Sequence, residues 1–103
     1  MTDRDLPIAC TLAPAEYATR TDDLAAFSAL ALRSRRPIAG GERLTFAGSA
    51  DVERRLRMAI AAEARCCAFL DMHLQRTDDG LVLDIRGPEA ARPVIAELFA
   101  ARA

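Results

Sequence analysis

Three cysteines carry the most concentrated chemistry in this sequence. Cys10 lies near the start, and Cys66 and Cys67 are adjacent in the second half. Adjacent cysteines do not readily bond to each other, because consecutive Cα atoms lie about 3.8 Å apart, below the usual disulfide range. Converging thiolates prefer soft ions such as Cu(I), Zn(II), Hg(II) or As(III) to hard cations. The pattern therefore predicts a soft metal or metalloid site formed by all three cysteines.

Other polar side chains are candidates for the surroundings of that site. Glu63 lies three and four residues before the cysteine pair, on the apolar side of a predicted helix, and a buried carboxylate there needs a partner. Arg20 or Tyr17 can supply this partner, which would make the pair purely structural. Alternatively, Glu63 accepts the thiol protons that ion binding releases. Zn(II) would need a fourth ligand, from Glu63 or His73, although no CxxC or HxxxH spacing is present.

Two other readings of the cysteines stay open. A thiol oxidoreductase would cycle a disulfide between Cys10 and either Cys66 or Cys67. Against it, reactive cysteines are typical of helix N-termini, whereas this pair falls in the last turn of a predicted helix. In the third reading, the cysteines only fill the core of an interaction or ligand-binding module.

The first half of the chain is predicted to form a strand, a helix and a second strand. Residues Leu6 to Leu12 alternate, with Ile8, Cys10 and Leu12 on one face. A helix is expected from Pro14 to about Ser34, ended by an arginine cluster and Pro37. After Gly40-Gly41, residues Arg43 to Ala47 read as a strand, with Leu44 and Phe46 facing the core.

The second half is predicted to form a helix, a β-hairpin and a last helix. The first helix runs from about Ala50 to Ala68, capped by Ser49 or Asp51. Alternating residues 70–75 and 81–86 flank a turn at 77–80, and Pro88 opens the last helix. The order β-α-β-α-β-β-α predicts one α+β domain over residues 1–103, with a four-stranded, mixed or largely antiparallel sheet and helices packed on it.

Composition excludes several classes of protein. All 14 basic residues are arginines spread along the chain, and the formal net charge is −1, so no basic patch for nucleic acid or a membrane surface is expected. No apolar stretch reaches the roughly 20 residues that span a bilayer, and the acidic start does not resemble a secretory signal. A cytoplasmic protein is expected, with a homodimer contact on an apolar helix face left open. The lack of lysine is typical of a GC-rich bacterial source.

The two cysteine segments resemble a poorly characterised family of small bacterial proteins. Ile8-Ala-Cys-Thr-Leu12 is similar to its "CTL" strand, and residues 63–70, Glu-Ala-Arg-Cys-Cys-Ala-Phe-Leu, are similar to its "ExxCCxFL" helix end. Such segments occur alone or beside MerR-type heavy-metal regulators, which implies a role in soft-metal resistance or sensing. The resemblance implies no catalytic residue. Ala68 stands where the common form of the motif has proline.

Overall fold

The protein is an antiparallel sheet with helices packed on one side of it. The computed structural model describes residues 14–66 and 68–99, and their side chains at 22–65 and 68–99. In chain order its elements are α1 (Pro14–Ala31), β1 (Leu32–Ile38), β2 (Gly41–Phe46), α2 (Ala50–Cys66), β3 (Asp71–Thr77), β4 (Gly80–Arg86), a 3-10 turn (Glu89–Ala91) and α3 (Arg92–Glu97). The strands are ordered β1-β2-β4-β3, and every neighbouring pair is antiparallel. The predicted α+β class with a four-stranded sheet is confirmed.

One strand of this sheet was not predicted. Residues Leu32–Ile38 form β1, although the arginine cluster and Pro37 had been interpreted as the end of a helix that reaches Ser34. Pro37 is compatible with β1 because β1 is an edge strand of this sheet. The outward-pointing positions of an edge strand donate no hydrogen bond to a neighbouring strand, so the missing N–H of proline is tolerated there. Gly40, with φ +78°, makes the tight turn into β2. The predicted strand Leu6 to Leu12 lies outside the described residues.

Arg35 shows why a strand replaces the end of the predicted helix. Its guanidinium donates to Glu42 at 2.7 Å and to the main-chain oxygens of Ile95 and Leu98, both at 3.2 Å. These partners lie in β2 and at the end of α3, so they are reached only in the folded chain. Arg35, one member of the arginine cluster, therefore joins β1 to the end of α3.

The core lies on one face of the sheet. Leu81, Leu83 and Ile85 of β4 are fully buried, as the alternating pattern predicted for the hairpin strands. The ring of Phe46 on β2 contacts two other aromatic rings. Its centroid lies 5.8 Å from that of Phe27 on α1 and 5.5 Å from that of Phe99, which follows α3. Aromatic contacts at these distances join α1 and the C-terminal segment to the sheet.

Helix α2 covers β3 and ends at Cys66. The hydroxyl of Ser49 accepts a hydrogen bond from the Val52 amide at 3.1 Å, so Ser49 is the N-cap, one of the two predicted candidates. Leu56 is fully buried, and Val52, Ala59 and Ile60 pack at the edge of the core. Cys66 is the last residue of the element, and residues 68 and 69 form a turn before β3.

None of the helices in the described ranges is long and apolar enough to cross a membrane.

Candidate functional site

The structure describes only part of the predicted three-cysteine site. Cys66 ends α2, whereas Cys10 and Cys67 lie outside the described residues. Tyr17 and Arg20 belong to α1, but their side chains are likewise outside the described part. The convergence of the cysteines therefore stays a prediction, as does the placement of Tyr17 and Arg20 beside them.

Glu63 is buried one helical turn before the cysteine pair. Only 2 % of the residue is exposed, which confirms the prediction that it falls within the apolar stripe of α2. The carboxylate takes part in a polar or electrostatic interaction, as the cost of burying an isolated charge requires. A buried carboxylate thus lies within one turn of two thiols along the chain.

The chain is attached to the core on both sides of the cysteine pair. Before it, Leu56 and Glu63 turn into the interior on α2. After it, Phe69 is 6 % exposed and Leu70 is 9 % exposed. Buried side chains therefore lie three residues before Cys66 and two residues after Cys67 in the sequence.

The opposite face of the sheet carries a polar cluster that the sequence analysis missed. Asp84 of β4 is paired in register with Arg43 of β2 and with His73 of β3. The Arg43 guanidinium donates to the two Asp84 oxygens at 2.7 and 2.8 Å, and an Arg86 nitrogen lies 3.8 Å from the carboxylate. Alternation put Asp84 on the outer face but gave no strand register, and the register is what brings these residues together.

The environment of Asp84 favours its charged form. The hydrogen bonds from Arg43 hold the pKa of the carboxyl below its usual value, and the charges of Arg43, Arg86 and His73 act in the same direction. Burial opposes this effect, since Asp84 is only 8 % exposed. His73 is exposed, which confirms that it faces away from the core. Both carboxylate oxygens of Asp84 are thus engaged by Arg43.

Among the residues that the structure describes, no group of three or more His, Cys, Asp or Glu side chains is arranged to hold a metal ion. The predicted ligands Cys10 and Cys67 lie outside these residues. Comparison of the chain with protein-family models, curated proteins and solved structures finds no match.

Proposed function

We propose that this protein binds a soft metal or metalloid ion through Cys10, Cys66 and Cys67. The observation that carries the proposal is the position of Cys66 at the end of α2, with buried Glu63 before the pair and buried Phe69 after it. Three thiolates can provide the trigonal coordination that suits Hg(II), As(III) or Cu(I), whereas Zn(II) would take a fourth ligand.

Glu63 gives the proposed site a nearby proton acceptor, which an ordinary pair of core cysteines lacks. Ion binding requires deprotonated thiols, so each thiol ligand must lose its proton. A carboxylate within one helical turn can accept such a proton or stabilise its departure through a hydrogen-bonded partner. We assign this supporting role to Glu63, with Tyr17 and Arg20 proposed as neighbours on α1.

The position of the cysteines favours ion binding over redox catalysis. The C-terminal end of a helix carries the negative end of its dipole, which disfavours the free thiolate that a redox cysteine needs. A bound ion supplies its own positive charge and deprotonates the sulfur ligands directly. The helix end is therefore a poorer position for a nucleophilic thiol than for a metal ligand.

The physiological role that we propose is soft-metal resistance or sensing. It follows from the resemblance of the two cysteine segments to proteins associated with MerR-type regulators, and from the ligand chemistry. The role requires no catalytic step, since sequestration or a change of shape on binding is sufficient.

Native mass spectrometry of the reduced protein tests the proposal. Zn(II), Cu(I), Hg(II) and As(III) are offered one at a time to the parent, to Cys10→Ser and to Cys66→Ser/Cys67→Ser. We expect one tightly held ion that both variants lose. Gln75→Ala is the matched control, because this exposed side chain of β3 has no place among the proposed ligands.

The remaining outcomes decide between the alternatives. If the triple Cys→Ser variant binds the ion as tightly as the parent, the proposal is wrong. A reversible disulfide from Cys10 to the pair, with no ion retained, would support the oxidoreductase instead. Thiols that react only after denaturant is added, again with no ion retained, would support cysteines that merely fill the core.

A further inference from the structure

The two edges of the sheet are protected to different degrees. Strand β1 contains Pro37, and its pairing with β2 is irregular between Leu32 and Ser34. Proline and irregular pairing both obstruct the addition of another strand. Strand β3, at the other edge, pairs with β4 over seven consecutive residues without a register shift. The β3 edge is therefore the one suited to accept a further strand.

The apolar side chains of β3 are incompletely covered. Met72 and Leu74 are paired in register with Ile85 and Leu83 of β4, which are fully buried. Met72 and Leu74 themselves are only partly buried against the core. The pairs Met72–Ile85 and Leu74–Leu83 form two rows of apolar side chains across the strands. An added strand with apolar residues on the same face would extend these rows and bury Met72 and Leu74 further.

We propose that residues Leu6 to Leu12 of this chain dock on β3 as a fifth strand. The segment has seven residues, as β3 does, and alternation puts Ile8, Cys10 and Leu12 on one face. That face is the one that would continue the Met72 and Leu74 rows. Pro7 suits the new outermost position, because proline within sheets is confined to edges and strand starts.

The direction of the added strand follows from the two long helices. The Ala47 amide donates to the Ala31 oxygen at 2.9 Å, and the Arg55 guanidinium lies 5.0 Å from the centre of the Phe27 ring. The C-terminal end of α1 therefore lies beside the N-terminal half of α2. With a helical rise of about 1.5 Å per residue, α1 begins roughly 20 Å before Phe27 and α2 ends roughly 17 Å after Arg55.

The proposal requires α1 and α2 to run antiparallel, which would bring the start of α1 level with the end of α2. Strand β3 begins at Asp71, five residues after Cys66, so it starts near the same level. Leu12 precedes the first residue of α1 by two positions, so the proposed strand would end beside the start of that helix. The added strand would then run along β3 toward this point, from Leu6 to Leu12, and would be antiparallel to β3.

The register places Cys10 opposite Met72 and Ile8 opposite Leu74. This choice rests on the proposed function, since Met72 is the core-facing residue of β3 nearest in sequence to the cysteine pair. In this register, Cys10 would lie on the core side of the sheet, on the edge that α2 covers. The docked strand would thereby complete the ion site, and ion binding would in turn hold the strand on the β3 edge.

Disulfide trapping tests the docking without any ion. In a background where all three native cysteines are serine, Ile8→Cys is combined with Leu74→Cys. Opposite residues in antiparallel strands have Cα atoms about 4.5–5.5 Å apart, within the disulfide range. We expect most of the dilute, oxidised protein to form the intramolecular bond. The matched control combines Ile8→Cys with Pro37→Cys on the other edge strand and should form none.

Amide hydrogen exchange of β3 gives a second measurement. We expect the outward amides of β3 to exchange about tenfold faster in Ala9→Pro, which removes a ladder donor, than in the parent or in Asp3→Pro. Absence of the 8–74 disulfide together with unchanged exchange in Ala9→Pro would overturn the proposal. The proposal is also wrong if only the Ile8→Cys/Pro37→Cys variant forms the disulfide. It is wrong as well if the β3 amides are protected from exchange only at protein concentrations at which the protein dimerises. None of these outcomes bears on ion binding, which mass spectrometry measures separately.

Discussion

Arg43 on β2 donates two hydrogen bonds, of 2.7 and 2.8 Å, to the carboxylate of Asp84 on β4, on the face of the sheet opposite the core. The side chain of Asp84 is 11 % exposed, so this ion pair is largely shielded from water on the carboxylate side. Bidentate pairs of this kind combine charge with fixed geometry. The contact joins two strands that are distant in sequence, and it therefore depends on the sheet order.

The first prediction concerns this pair and pH. We expect Asp84→Asn to destabilise the protein by about 1–2 kcal/mol at pH 7, because Arg43 loses its charged partner. The pKa of Asp84 is lowered in the folded state. Its contribution is therefore complete above the ordinary value of about 3.9 and is lost as the pH falls through the folded-state value.

Urea unfolding of the parent and of Asp84→Asn at pH 7 and at pH 2.5 measures this effect. The stability difference between the two proteins should shrink at the lower pH. Asp71→Asn, at an exposed position of β3, is the matched control and should change little at either pH. An equal difference at both values would show that the charge of Asp84 does not contribute.

A second prediction concerns the link between β1 and α3. Arg35→Met removes the hydrogen bonds to Glu42 and to the main-chain oxygens of Ile95 and Leu98. We expect a loss of about 1–3 kcal/mol, since carbonyl groups at the end of α3 lose their donor. Chemical denaturation measures it, with Arg36→Met at the exposed neighbouring position as control. Equal losses in both variants would contradict the assigned role of Arg35.

The third prediction compares two apolar residues of α2. Leu56 is fully buried, whereas Met58 is 66 % exposed. Leu56→Ala should cost about 2–5 kcal/mol because it leaves a cavity in the core. Met58→Ala should change stability by about 0.5 kcal/mol or less. Thermal and urea unfolding of the two variants check which face of α2 points into the core. A larger loss for Met58→Ala than for Leu56→Ala would show that this orientation is wrong.

The fourth prediction separates a chemical role of Glu63 from a structural one. If Glu63 assists thiol deprotonation, Glu63→Gln should weaken ion binding about tenfold near neutral pH. The deficit should diminish at higher pH, where the thiols lose their protons unaided. Ion affinity measured from pH 6 to pH 9 gives the result, with exposed Glu97→Gln as control. A loss of stability with unchanged affinity across this range would show that the residue is only structural.

Local pattern was sufficient for most of the described elements. The β3–β4 hairpin, helix α2 with its Ser49 cap and the burial of Glu63 all follow from alternation, helical spacing and turn chemistry. Each depends on residues close together in the chain. The same holds for the exposure of His73, which follows from its position between two core-facing residues.

Contacts between distant segments decided the rest. Residues 32–38 carry the basic residues and proline of a helix end, yet they form a strand because β2 and the end of α3 offer hydrogen bonds to them. The sheet order, and with it the Arg43–Asp84 pair, depends on register between strands about 40 residues apart, which no local pattern encodes. By itself the sequence determined the fold class, the core faces and the chemical character of the three thiols, because these depend on residue type and spacing. Only the tertiary structure decided which strands are neighbours and which charges are buried together.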